Sequence, residues 1–286
     1  FYCFDLETLE WQRIRGTGEA PSARASFSMN PGADDGTIII AGGTGDQNEG
    51  LQGDVFEFNV HTQHWRKLAD QEACGEESFC QYYGQSMVQY KGALVFFGGS
   101  TGTQNTKRNL RFDPESQQVE QLQTTGQPPS PRYKHQALVV GRHMYIFGGG
   151  NYKPPTDRID VHRLDLDTLA WEPVLTHGPR PPARVAHSCV LDAEAGRVYL
   201  WGGFTATLER LRDFHAFDLA GLAWSAVLPG AAAPRRGARP RAERAFRTFF
   251  HQAAVLAVEA RAGDQRHSDM WRFALRPPPR AHAAQA

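Results

Sequence analysis

The sequence predicts an all-β fold: a β-propeller, six-bladed by intent, with an incomplete first blade and a degenerate sixth. Three observations carry this expectation. A phrase of about 53 residues recurs down the chain, and a period of that length signals a repeat architecture. Four copies hold an apolar run closed by two glycines, at residues 38–43, 94–99, 144–149 and 198–203. The pairs Phe4-Asp5, Phe58-Asn59, Phe112-Asp113, Leu164-Asp165 and Phe217-Asp218 end a later strand in each copy. Trp11, Trp65, Trp171 and Trp224 follow those pairs by six residues, with Val119 in the third slot.

Each blade is read as four antiparallel strands. The second strand is the apolar run, which does not alternate because both its faces are covered. Its two glycines lack a Cβ, so the backbone turns tightly there and a neighbouring side chain approaches. The third strand alternates, as in Val55-Phe56-Glu57-Phe58, with one face packed and the other wetter. Turns such as Asp5-Leu6-Glu7-Thr8 and Asp165-Leu166-Asp167-Thr168 supply Asp and Thr, which bond to the nearby backbone and reverse the chain. The tryptophan opens the outer strand and covers apolar area between blades.

On this pattern residues 1–15 form the outer half of a first blade, and blades follow at about 24–69, 84–123, 133–175, 186–228 and 251–275. Residues 229–246, rich in Ala, Arg, Pro and Gly, read as a disordered insertion, and 276–286 as a disordered tail. The opening Phe1-Tyr2-Cys3-Phe4 lies already inside a strand, with neither an initiator Met nor a signal peptide, so the chain reads as a fragment.

Charge is balanced, at 31 basic and 31 acidic residues, which argues against nucleic acid as a partner. Residues 228–286 are nonetheless basic, with 11 Lys/Arg against 4 Asp/Glu. The four cysteines, Cys3, Cys74, Cys80 and Cys189, lack a metal-site rhythm and read as free thiols of a reducing compartment. No run reaches the roughly 18 apolar residues of a membrane span.

The repeat length fits kelch blades better than WD40 blades, and no WD dipeptide closes the repeats. The chain resembles the kelch domain-containing family over about residues 1–275. The resemblance rests on Ala41-Gly42-Gly43-Thr44-Gly45, Tyr83-Gly84-Gln85-Ser86-Met87 and Gly98-Gly99-Ser100-Thr101-Gly102. It rests also on Arg132-Tyr133-Lys134-His135 and Ala183-Arg184-Val185-Ala186-His187-Ser188-Cys189. It implies a kelch-type propeller acting as substrate receptor of a cullin-2 RING ubiquitin ligase, one that reads C-terminal degrons on protein substrates in the cytoplasm and nucleus. In that family a helical box after the propeller binds elongins B and C. Here Arg276-Pro277-Pro278-Pro279-Arg280 follows, whose prolines break a helix, so the docking box is absent from this stretch. Gly150 and Val185 stand where the family's glycine-end reader has an Arg and a Ser.

A ligand is expected on the loops of one face, around the axis. The candidate peptide-binding residues are Arg132, Arg184, Lys134, Tyr83, Ser100, His135, His187, Tyr152 and Lys153. Arg132 and Arg184 hold equivalent places in adjacent blades, and no acid follows closely in sequence to neutralise them, so both are expected to clamp one terminal carboxylate. The same Arg-x-x-His places fit a structural role as well, with Arg bonding neighbouring carbonyls and His filling the channel wall.

Catalysis is not expected. A copper-radical site needs two Tyr, two His and a Tyr-Cys crosslink, but adjacent Tyr82 and Tyr83 point to opposite faces. An iron site of the form Glu-x3-Asp-x3-His meets Glu209, Asp213 and then Phe217. No catalytic triad order, HExxH or phosphate loop occurs. No cofactor or metal is implied. The rival to degron reading is a non-catalytic scaffold that binds a folded signalling partner.

Overall fold

The computed structural model describes residues 2–5, 8, 10–32, 34–45, 50–70, 81–150 and 157–227, and, as backbone strands, 244–251, 254–262 and 270–274. All regular structure among them is strand. The expected disorder over 229–243 and 276–286 lies outside the described residues, as do Tyr152 and Lys153.

Six sheets form in chain order. The first pairs β1 (Tyr2–Phe4) with β2 (Trp11–Arg13), the outer half-blade that the sequence led us to expect. The second holds β3 (Thr17–Gly18), β4 (Ser28–Pro31), β5 (Thr37–Ala41), β6 (Val55–Asn59) and β7 (His64–Ala69), in the order β3-β7-β6-β5-β4. The third is an antiparallel meander of β8 (Ser86–Tyr90), β9 (Ala93–Phe97), β10 (Asn109–Asp113) and β11 (Gln118–Gln121). The fourth contains β12 (Thr125–Gly126), β13 (Gln136–Val140), β14 (His143–Phe147), β15 (Val161–Asp165) and β16 (Ala170–Pro173), in the order β12-β16-β15-β14-β13. The fifth is β17 (Ser188–Asp192), β18 (Arg197–Trp201), β19 (Phe214–Asp218) and β20 (Ala223–Ala226). The sixth is β21 (Arg244–His251), β22 (Ala254–Ala262) and β23 (Met270–Ala274).

The sixth sheet corrects two boundaries. Extended chain begins at Arg244, inside the stretch expected to be a disordered insertion, and β21 pairs along its length with β22. Aromatic and β-branched residues in Phe246-Arg247-Thr248-Phe249-Phe250 favour a strand and outweigh the Ala/Arg/Pro composition before them. A second feature escaped the sequence reading: β3 and β12 add a two-residue parallel strand outside β7 and β16. Segments so short leave no periodic signal.

The chain divides into two compact units, residues 1–145 with 162–173, and residues 146–161 with 174–286. In the first unit the central strands are buried as expected, with all five residues of β9 inaccessible. One apolar cluster joins the second and third sheets through Ile39, Val55, Leu68, Met87, Phe96 and Phe112, and Val119 packs against it from the slot that lacks tryptophan. Polar links align the inner strands: Ser28 Oγ donates to Gln85 O at 2.8 Å, and Asn30 Nδ2 to Met87 O at 2.8 Å. Trp171 seats its ring on Phe97, centroids 5.0 Å apart, so the repeating tryptophan packs on the preceding blade's apolar run. The second unit repeats the arrangement, with Trp224 6.1 Å from Phe147 and 4.9 Å from Phe217.

Candidate functional site

A motif unnoticed in the repeat reading builds the site. Gly18, Gly126 and Gly178 each begin a Gly-x-x-Pro-x-x-Arg phrase that ends at Arg24, Arg132 and Arg184. Gly126 has φ +79°, and a Cβ there would collide with the carbonyl oxygen of Trp171; Gly18 and Gly178 stand likewise against Trp65 and Trp224. The chain therefore hugs the tryptophan strand before the proline sends it inward. Each Arg then turns back, with Nε donating to the carbonyl two residues earlier: Ser22, Ser130 and Pro182, at 3.2, 3.1 and 3.0 Å.

These guanidiniums are enclosed. In the first unit Arg24 forms a two-pronged ion pair with Asp54, and its Nη1 also donates to Gly42 O at 3.3 Å. In the second unit Arg184, its side chain 0% exposed, grips Asp213 through Nη1–Oδ1 at 2.6 Å and Nη2–Oδ2 at 2.7 Å. Its Nη1 also donates to Gly202 O at 2.9 Å. The expected carboxylate clamp is corrected at Arg184: its carboxylate partner is Asp213, from the residue just before β19. Arg132 is equally buried, and its Nη2 also donates to Ser130 Oγ at 3.2 Å. Burial raises the Asp213 carboxyl's pKa, but bonds and charge from Arg184 and His215 outweigh it and hold the pKa well below the ordinary range.

The two histidines line the interior. His135, 3% exposed, shares a 2.8 Å hydrogen bond with Ser86 Oγ and meets Phe97 edge-on at 5.2 Å. His187 lies against Gly148 and Gly203, and burial followed by the Arg184 charge lowers its pKa to about 3. It is a neutral wall residue at any ordinary pH.

Two residues beyond each Arg place the backbone turns left-handed: Ser26 (φ 54°), Lys134 (φ 52°) and Ala186 (φ 55°), with Gly84 (φ 65°) at the same position in the third blade. Such a turn strains a residue with a Cβ by about 1–2 kcal/mol. At Lys134 it is held by a 2.6 Å hydrogen bond from its N–H to Gly84 O. The ammonium sits 5.3 Å from the Tyr133 ring centroid, and Tyr133 meets Tyr83 edge-on at 5.7 Å. Tyr83 and Ser100 exchange both backbone hydrogen bonds, at 3.0 Å each. The Ser100 side chain turns inward, accepting from Gly102 N at 3.1 Å and donating to Gln104 O at 3.3 Å. The first unit thus gathers Tyr83, Ser100 and Lys134 at one place, with Arg132 and His135 beneath them. Tyr133, which no candidate set contained, is the ring that joins them. Its signal was available in the aromatic pair Tyr82-Tyr83 and in the Arg132-Tyr133-Lys134 order. Asp54 and Asp213 were also missed, although each stands immediately before an alternating third strand.

Among the described residues no group of three His, Cys, Asp or Glu is placed to hold a metal ion. Cys3 is exposed and Cys189 buried, both as thiols, and burial pushes the Cys189 pKa up.

The family model described as the KLHDC2/KLHL20/DRC7 Kelch-repeats domain matches residues 1–153 and 134–277. Kelch domain-containing protein 10 of Xenopus laevis is 30% identical over 263 residues, 88% of this chain and 58% of that protein. Its Homo sapiens counterpart is 28% identical over 229 residues, 77% of this chain and 50% of that protein. Acyl-CoA-binding domain-containing protein 4 of Arabidopsis thaliana is 27% identical over 237 residues, 80% of this chain and 34% of that protein. The chain spans little more than half the length of the Kelch domain-containing relatives it matches.

Proposed function

Because this chain belongs to the kelch-repeat family, an all-β β-propeller family whose repeats generally serve protein interaction, we propose that it is a substrate-recognition subunit that reads the C-terminal tails of proteins. Service in a cullin-2 ubiquitin ligase, the six-blade count and action in the cytoplasm and nucleus belong to the same proposal. The observation that carries it is Lys134. A strained backbone presents its ammonium beside two tyrosine rings on a loop, which suits an extended peptide ending in a negative charge. The proposal narrows the contact set. Lys134, Tyr83 and the Ser100 loop face the ligand, with Tyr152 and Lys153 as further contacts, while Arg132, Arg184, His135 and His187 shape the wall.

A pool of fluorescein-labelled decapeptides, randomised over the last four positions and made both as free acid and as amide, tests the reading. Binding of the acid pool at least tenfold tighter than the amide pool is expected, and equal binding overturns it. Equal binding together with capture of a folded partner favours the scaffold alternative. The exposed Leu208, close to the Arg210–Phe204 stack, offers that alternative a surface.

A further inference from the structure

The four complete repeats can be aligned through their own hydrogen bonds. The first glycine of each pair donates to Asp54 O, Arg108 O, Asp160 O or Asp213 O, at 3.2, 3.1, 3.0 and 3.4 Å. The second glycine donates across to the next repeat, from Gly43 to Tyr82 O, Gly99 to Arg132 O and Gly149 to Arg184 O, at 3.1, 2.8 and 2.9 Å. Tyr82 therefore stands where three other repeats have Arg, and Arg108 where they have Asp. The third blade has exchanged both halves of the structural clamp.

The departures continue beside these two. Gln85 replaces the Phe27, His135 and His187 of the other blades, and Asn109 replaces Val55, Val161 and Phe214. Both are buried, at 7% and 4% exposed. Among the described residues Gln85 Nε2 has no acceptor and Asn109 Oδ1 no donor. Buried polar groups are normally satisfied, so a donor and an acceptor left over in one blade call for an explanation. The Tyr82 side chain lies directly over Gly99, the glycine that Gln85 also approaches. The loop from 100 to 108 carries Lys107 and Arg108 and no acid, whereas its counterpart at 44–54 carries three acids and no base. Arg108 rests one Nη on Gln121 Oε1 at 3.0 Å.

We propose that the third blade is the recognition blade for the free C-terminus of a peptide, an inference that rests on the reading given above. Arg108, supported by Lys107, receives the terminal carboxylate as a planar fork. Tyr82 packs against the last side chain. The leftover donor and acceptor meet the peptide's own carbonyl and N–H, a pair of demands that a peptide end meets and a simple anion does not. A repeat that breaks its own structural rule in several adjacent places is where function is expected to sit.

The test restores the rule. The double variant Tyr82→Arg/Arg108→Asp installs the clamp of the other blades in the full chain, and Arg108→Gln removes the charge alone. The same free-acid and amide decapeptide pools are titrated against each, with the melting temperature measured in parallel. The expected result is that the wild-type chain favours the acid pool at least tenfold, and that both variants bind the two pools within twofold of each other. The double variant is expected to melt no lower than wild type. If wild type favours the acid pool and Arg108→Gln keeps that preference, this inference is overturned while the peptide reading stands. If wild type shows no preference, the peptide reading falls and takes the inference with it.

Discussion

The Arg184 guanidinium and the Asp213 carboxylate meet as two parallel hydrogen-bonded prongs of 2.6 and 2.7 Å, closed off from solvent on the Arg side. The pair spans from the loop entering β17 to the residue before β19, and Arg184 also caps Gly202 O at the end of β18. One side chain therefore ties the start of a blade to its glycine turn and to its third strand. What a peptide's carboxylate would have supplied is supplied by the fold itself.

Removing Asp213 leaves a fully buried cation without its counter-charge. Asp213→Ala is expected to cost about 3–5 kcal/mol in chemical denaturation. Replacing both partners by apolar residues, as in Arg184→Met/Asp213→Val, is expected to recover most of that loss, since no charge is then stranded. If Asp213→Ala melts like wild type, the clamp is not structural.

Acid is expected to act through His187 before it reaches the carboxylates. Its pKa is about 3 in the folded chain against 6.5 ordinarily, so between those values the unfolded chain binds the extra proton. The stability gained by keeping the ring neutral is complete above pH 6.5 and declines as pH falls toward 3, at up to about 1.4 kcal/mol per pH unit. Asp213, whose pKa is depressed, loses its contribution only at lower pH. Urea titrations of wild type and His187→Gln between pH 7 and 4 should converge as pH falls. Parallel curves would show that the imidazole is protonated in the fold.

Trp171, 2% exposed, joins the fourth sheet to Phe97 of the third. Truncation to Ala is expected to cost about 3–5 kcal/mol through the cavity left at this joint. Trp171→Phe should cost less, because it keeps a ring on Phe97 and removes a buried indole N–H that has no acceptor among the described residues. An unchanged melting curve for Trp171→Ala would place the blade register in error.

Lys134 separates stability from binding. Glycine already occupies the equivalent left-handed position at Gly84, so Lys134→Gly relieves strain and is expected to raise stability by up to about 1 kcal/mol. The same change removes the ammonium over Tyr133 and is expected to weaken binding of the free-acid peptide pool several-fold. Loss of stability with binding intact would reverse the role assigned to this residue.

The period of the double glycines and tryptophans determined the blades before any coordinates, because packing of repeated units leaves a repeated apolar pattern. Residues 24–69 and 84–123 became sheets where that pattern placed them. The start of β21 and the two-residue strands β3 and β12 were not legible, since elements that short, or that poor in alternation, have no period to read. The site divided along the same line. Sequence placed Tyr83, Ser100, Arg132, Lys134 and His135 in one neighbourhood, but it could not say which way their side chains point. Only the tertiary structure brought Asp213 to Arg184 across 29 residues and Tyr133 between Tyr83 and Lys134. An ion pair between distant strands has no spacing rule, so the partner that neutralises a buried Arg is decided by the fold and not by the order of residues.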